Sequence, residues 1–186
     1  MNPHHADYTQ GEATLVIGVG NPHRRDDGAG IHVARQLVSA APAHVIVKEA
    51  SGEGACLMAM WENVDRVILV DAVRSGSDAG RIHRLDASRN RIPSDFFHYS
   101  THAFSVAEAV EMSRVLKTLP QCTILYGIEG LDFSAGVGLS PSVEKSTGKV
   151  AQEILQILES PASYRQQQEI QKKLEKGGTT CTNSHS

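Results

Sequence analysis

Short apolar runs alternate with amphipathic stretches along most of this chain. Thr14-Leu15-Val16-Ile17-Gly18-Val19-Gly20 is a continuous apolar run halted by Asn21-Pro22, the pattern of a strand covered on both faces. A helix is predicted from Gly28, with Ile31, Ala34 and Val38 at helical spacing. Residues 44–49 read as a second strand, 55–64 as an apolar helix, and 66–71 as a third strand. Residues 80–85 alternate apolar positions with Arg and His, which predicts a strand nearer an edge. Met112, Val115, Leu116 and Leu119 recur at i, i+3, i+4 and i+7, so a helix should end before Pro120. Residues 122–126 form the next strand, and Val150, Ile154, Ile157 and Leu158 mark a final amphipathic helix.

Buried strands alternating with helices predict a single three-layer α/β domain, with a mainly parallel central sheet and helices on both faces. The domain should span residues 14–159, between a polar N-terminal extension (1–13) and a polar C-terminal tail (160–186). In the tail a solvated helix is expected over 164–176, and a frayed end after it. A length of 186 residues supports one such domain without disulfide staples. A formal charge of −3 argues against a nucleic-acid or membrane partner. Cys56, Cys122 and Cys181 make neither a zinc pattern nor an even disulfide framework, which suits a reducing cytoplasm. No basic-then-apolar leader and no apolar run near the ~18 residues of a membrane span is present in the sequence.

In an open α/β sheet, ligands bind beyond the carboxyl ends of the strands, so the chemistry is sought in those loops. The first reads Gly18-Val19-Gly20-Asn21-Pro22-His23-Arg24-Arg25-Asp26-Asp27-Gly28. A dinucleotide fingerprint would need its third glycine at His23, and the two acids oppose phosphate at the helix start. Only Glu49, ending the second strand, mimics a ribose-binding acid. Asp26 and Asp27 suit helix capping as well as ligation, and adjacent acids leave room for both jobs. Asp71 closes the run Val67-Ile68-Leu69-Val70, where a carboxylate must be bonded, paired or shifted in pKa. It is either a strand-end residue bonded to a loop or a cleft acid. His102 falls just before or inside the first turn of the helix leading to Leu119, a place that favours the neutral, metal-binding imidazole. Taken alone, a histidine in that position is more often a surface or packing residue; His98 and His23 are weaker candidates of the same kind. Ser100, Thr101 or Ser105 could cap that helix, and Ser105 to Glu108 has capping-box spacing. Together, Asp27, Asp71 and His102 could form an open site with two oxygen donors and one nitrogen donor, suited to a divalent transition metal.

These residues resemble a known family. The first loop resembles the GxGN…DDGxG signature of the hydrogenase maturation endopeptidases. Residues 67–73 with Asp71, 100–106 with His102, and 127–143 with Gly136-Val137-Gly138-Leu139-Ser140-Pro141-Ser142-Val143 are similar to further family blocks in order and spacing. The resemblance runs from about Leu15 to Leu158. It implies a cytoplasmic endopeptidase that removes the C-terminal peptide of a nickel-iron hydrogenase large-subunit precursor after nickel insertion. The nickel would be carried by that substrate and serve as a recognition element, not as a resident cofactor. The implied metal contacts are Asp27, Asp71 and His102, with Asp27 and Asp71 also the catalytic acids of an aspartic-type or metal-dependent peptidase. Asp26 matches a family acid without an assigned role. Glu49-Ala50-Ser51-Gly52-Glu53-Gly54 departs from the Gly-Gly-Thr turn of some members, which bears on substrate choice.

No nucleophile elbow and no HExxH helix occurs in the sequence, which sets the chain apart from common serine and zinc proteases. Two other functions compete: a non-catalytic metal- or precursor-binding chaperone on the same fold, and a nucleotide-binding module built on residues 18–21. Arg24, Arg25 and the loop 91–99 either contact the precursor or form a solvated face.

Overall fold

A computed structural model describes residues 14–92 and 105–159. The sheet contains β1 (Thr14–Val19), β2 (Val45–Ala50), β3 (Arg66–Val73), β4 (Ile82–Asp86) and β5 (Cys122–Glu129). Its order is β2-β1-β3-β5-β4; every neighbouring pair is parallel except β4 and β5. The helices are α1 (Ala29–Val38), α2 (Gly54–Met60), α3 (Val106–Leu116) and α4 (Pro141–Glu159), and a 3-10 turn, Arg25–Gly28, leads into α1. The three-layer α/β reading holds, and the alternating segment 80–85 becomes the antiparallel edge strand β4.

Strand alternation divides the core into two layers. Val16, Ile68, Val70, Ile124 and Tyr126 pack beneath α1 and α4, with Val33, Leu37, Val150 and Ile154. Leu15, Ile17, Val67, Leu69 and Leu125 pack beneath α2 and α3, with Leu57, Trp61, Ala109 and Val110. Trp61 Nε1 donates to Ser113 Oγ at 3.2 Å, joining α2 to α3 inside that second layer.

Three helical expectations need correction. On α3 the buried stripe is Val106, Ala109, Val110 and Ser113, whereas Met112, Val115 and Leu116 are exposed. Both stripes have helical spacing. The one with Ala and Ser admits close approach to α2, where Ser113 accepts from Trp61, and that selects the helix phase. On α1 the inner face ends at Leu37, and Val38 is 67% exposed. The apolar helix predicted over 55–64 is the shorter α2, whose start is capped by Glu53, its carboxylate accepting from Ala55 N at 3.1 Å and Cys56 N at 3.0 Å. The capping box predicted at Ser105 does form, with Ser105 N donating to Glu108 Oε2 at 2.7 Å. Cys56 and Cys122 are free thiols. The extension 1–13, the tail 160–186 with the helix predicted over 164–176, and the segment 93–104 with His98 and His102 lie outside the described residues.

Candidate active site

Two glycines bring the first loop against the sheet. A Cβ on Gly18 would lie 2.2 Å from the Gly30 carbonyl oxygen, and one on Gly30 would lie 2.2 Å from Val70 O and 2.3 Å from Val19 O. The first turn of α1 therefore rests directly on the backbones of β1 and β3, at a distance that any side chain would prevent. Gly20 makes the exit turn from β1 at φ +135°, where a Cβ would strike the Asp27 carbonyl. These glycines serve backbone packing, not a pyrophosphate.

The strand order places this contact at a topological switch point. From β1 the chain moves to β2 on one side, then crosses to β3 on the other, and the crevice between β1 and β3 opens above their carboxyl ends. Pairing of β1 with β3 ends at Gly18 opposite Val70, whereas β3 continues beside β5 through Asp71, opposite Gly127. Asp71 thus emerges where β1 has already turned away, facing the first loop.

The two adjacent acids of that loop have separate tasks. Asp26 is fully buried and accepts hydrogen bonds from Leu131 N and Asp132 N (both 2.9 Å), Ser140 N (2.6 Å) and Ser140 Oγ (2.8 Å). Burial alone would raise its pKa, but these four donors outweigh it and hold the carboxyl below the usual range. Neither acid caps α1, whose N-cap is Gly28; Asp26 instead ties the first loop to the loop preceding α4. Asp27 is half-buried, and its Oδ2 accepts from Asn21 N at 3.1 Å.

Asp27 and Asp71 are brought together. Burial, with the nearby charge of Asp27, pushes Asp71 up to about 7, although its Oδ1 accepts from Ala72 N at 2.8 Å. Two carboxyls that repel each other in a partly dry crevice form a locus that a cation would relieve. Among the described residues no group of three or more His, Cys, Asp and Glu is arranged to hold a metal. The third candidate, His102, lies outside those residues.

A cleft of about 370 Å³ opens beside Asp27, lined by Gly20, Asn21, Arg24, Ile31, Glu49 and Ser51 among others. Glu49 is occupied by Arg35, which donates Nε to Oε1 at 2.9 Å and Nη2 to Oε2 at 3.0 Å. The acid that mimicked a ribose contact is thus the partner of an α1 guanidinium. Arg24 is half-buried on the cleft wall and donates Nη2 to Phe133 O at 3.2 Å, whereas Arg25 pairs with Asp132 at 3.2 Å. His23 lies outside this cleft, on a neighbouring one.

Glu129, which the sequence reading passed over, also acts at this end of the sheet. It is buried and accepts from Ser75 N (2.8 Å), Ser75 Oγ (2.8 Å), Gly76 N (2.9 Å) and Ser77 N (3.2 Å), holding the connection from β3 to β4. Its only sequence signal was a carboxylate at the end of an apolar strand, the same signal that marked Asp71.

Comparisons with known proteins agree on one family. Residues 31–157 match the family model described as HycI, hydrogenase maturation protease. The chain is 26% identical over 138 residues to the hydrogenase expression/formation protein HupD of Bradyrhizobium diazoefficiens, covering 73% of this chain and 72% of that one. It is 24% identical over 147 residues to the hydrogenase 2 maturation protease of Escherichia coli, covering 77% and 89%. Among solved structures, the hydrogenase maturating endopeptidase HybD from Escherichia coli superposes with a TM-score of 0.65 at 22% identity, covering 80% of this chain and 93% of that one. The maturation protease HycI from Thermococcus kodakarensis does so at 0.62 and 20%, covering 82% and 96%. At these identities the structural matches speak for the fold.

Proposed function

Since this chain belongs to the hydrogenase maturation protease family, we propose that it cleaves the C-terminal peptide from a nickel-iron hydrogenase large-subunit precursor in the cytoplasm, once nickel has been inserted. The nickel arrives with the substrate. One observation carries the reading: a carboxyl on the turn before α1 and one near the end of β3 face each other at the switch point, and burial together with the charge of Asp27 raises the pKa of Asp71.

Asp27 and Asp71 supply oxygen donors to the substrate's metal, and His102 supplies the nitrogen. Before docking, burial and then the charge of Asp27 hold Asp71 at about 7, so a share of it keeps its proton near neutral pH. A docked cation compensates both carboxylates, so a metal-loaded precursor is held and an empty one is not. Peptide hydrolysis then requires a group that takes a proton from water at the scissile carbonyl. Whichever of Asp27 and Asp71 does not ligate the metal at that step takes the proton, since a carboxylate that ligates the cation loses the raised pKa of the empty crevice. Asp26 and Gly30 contribute by position: the first ties the acid-bearing loop to the loop before α4, and the second lets that loop rest on β3.

The test is a paired incubation of nickel-loaded and nickel-free precursor with the protein, followed by product mass. Cleavage of the loaded form alone is expected, and Asp71→Asn and His102→Ala should remain folded while losing it. Equal cleavage of both forms would refute the nickel checkpoint. Metal-dependent association without mass loss would establish the chaperone reading instead.

A further inference from the structure

Among the described residues lining the cleft beside Asp27, Arg24 is the one cation. It is the N-cap of the 3-10 turn, and Asp27 follows three residues on, with Asp27 N donating to Arg24 O at 3.1 Å. A turn of three residues sets such side chains one above the other, so acid and base rise on the same side. The backbone of Arg24 is fastened twice: its N–H donates to Asn21 O at 3.0 Å, and it bridges to Gly136 in the loop before α4. Its half-buried guanidinium is held by one bond, Nη2 to Phe133 O at 3.2 Å. A guanidinium carries five N–H donors in a planar fork, so this bond leaves donors for a ligand oxygen. Among the described residues no carboxylate pairs with Arg24, whereas Arg25 and Arg35 are held by Asp132 and Glu49. Asp71 responds to the charge of Asp27 and not to that of Arg24, so the guanidinium stands apart from that carboxyl.

We infer that Arg24 is a catalytic residue of the proposed cleavage, its guanidinium donating to the oxygen of the scissile carbonyl. The inference rests on the functional reading above and supplies what the two acids cannot. In the first step the oxygen of water bonds to the carbonyl carbon, its proton passes to the carboxylate, and the π pair moves onto the carbonyl oxygen. Asp27 and Asp71 repel the charge that forms there. A guanidinium already fixed beside them stabilises it without reorganising. In the second step the carbonyl re-forms, the C–N bond breaks, and the carboxyl returns its proton to the leaving nitrogen. A cleft of about 370 Å³ has room for a peptide group against Arg24. Fastening the loop at Phe133 is the structural task open to this residue, and it would use a single N–H.

The test is single-turnover cleavage of nickel-loaded precursor by the full chain and by Arg24→Gln and Arg24→Lys, with Tm and affinity for the loaded precursor measured alongside. Arg24→Gln should lower the cleavage rate constant at least about a hundredfold while affinity stays within about threefold, the mark of an interaction made in the transition state. Arg24→Lys keeps the charge without the planar fork, and should lie at least about fivefold below wild type and at least about fivefold above Arg24→Gln. A rate within about threefold of wild type in Arg24→Gln would overturn the inference and leave the carbonyl to the substrate's metal. A fall in affinity large enough to account for the lost rate would overturn it too, in favour of the structural task. Where Arg24→Gln does not fold, Arg24→Lys decides by the same two readings. A wild-type protein that leaves the loaded precursor intact would overturn the functional reading and this inference with it, whereas a competent wild type beside a competent Arg24→Gln would overturn the inference alone.

Discussion

The pair Asp26 and Asp27 shows how one residue step separates scaffold from chemistry. Asp26 points into the protein and meets four donors; Asp27 points to the crevice and meets Asp71. Local sequence gives the two acids equal claims, because capping and ligation both favour Asp at a helix start. The distinction arises from residues more than a hundred positions away, Leu131, Asp132 and Ser140. Asp71 was more legible, since a carboxylate closing four apolar strand residues must be bonded, paired or shifted, although Glu129 shows that the same signal also marks a loop anchor. Its raised pKa gives a stability prediction with a definite sign. The folded state holds the proton up to about 7, whereas the unfolded chain releases it near 3.8. Between those values the folded form binds more protons, so stability falls as pH rises through that window, and above it the cost is complete. Asp71→Asn should therefore stabilise the protein at pH 8 by on the order of 2 kcal/mol, allowing for solvent screening in an open crevice. The gain should vanish near pH 3.5. Urea denaturation at both pH values checks this, and a gain of equal size at each would reject the buried-acid account.

At the scale of elements, the glycines of the first block have a packing explanation that motif reading obscures. Gly18 and Gly30 let α1 lie on bare backbone, so the acid-bearing turn before α1 is pressed against the end of β3. Gly30→Ala puts a methyl group into two carbonyl oxygens that belong to different strands. Because backbone cannot yield as a side chain can, the expected cost is about 3 kcal/mol or more. Chemical denaturation of the variant measures it; a loss below about 1 kcal/mol would show that α1 can lift without harm. The helices also show where periodicity stops informing. On α3 two stripes share the same spacing, and the larger side chains, Met112, Val115 and Leu116, face outward. Hydrophobic spacing reveals that a helix exists. Which face docks depends on how closely α2 must be approached, and Ala109 and Ser113 permit that approach.

For the whole molecule, the switch point between β1 and β3 organises the charge. Asp27 and Glu49 share one cleft with Arg24, and the ridge of Pro22 and Ile31 divides it from a second where Arg25 and Arg35 are held by Asp132 and Glu49. Binding a divalent cation at the acid pair should stabilise the entire fold by mass action. Nickel in about tenfold excess over its dissociation constant should raise Tm at pH 8 by roughly 3–6 °C. The rise should be smaller at pH 5, where Asp71 keeps its proton, and absent in Asp27→Asn. Differential scanning fluorimetry with and without the metal reads this directly, and a shift that survives in Asp27→Asn would place the ion elsewhere. The sequence by itself determined the α/β class, the alternation of strands and helices, the edge position of an alternating strand, and the family. All of these follow from local periodicity and from short blocks whose order survives along the chain. Only the tertiary structure decided the strand order, the phase of α3, the division of labour between Asp26 and Asp27, and the meeting of Asp27 with Asp71. Each of those depends on which distant backbone approaches which, and that is settled by three-dimensional packing at bare glycines and by buried carboxylates finding donors far away in the chain.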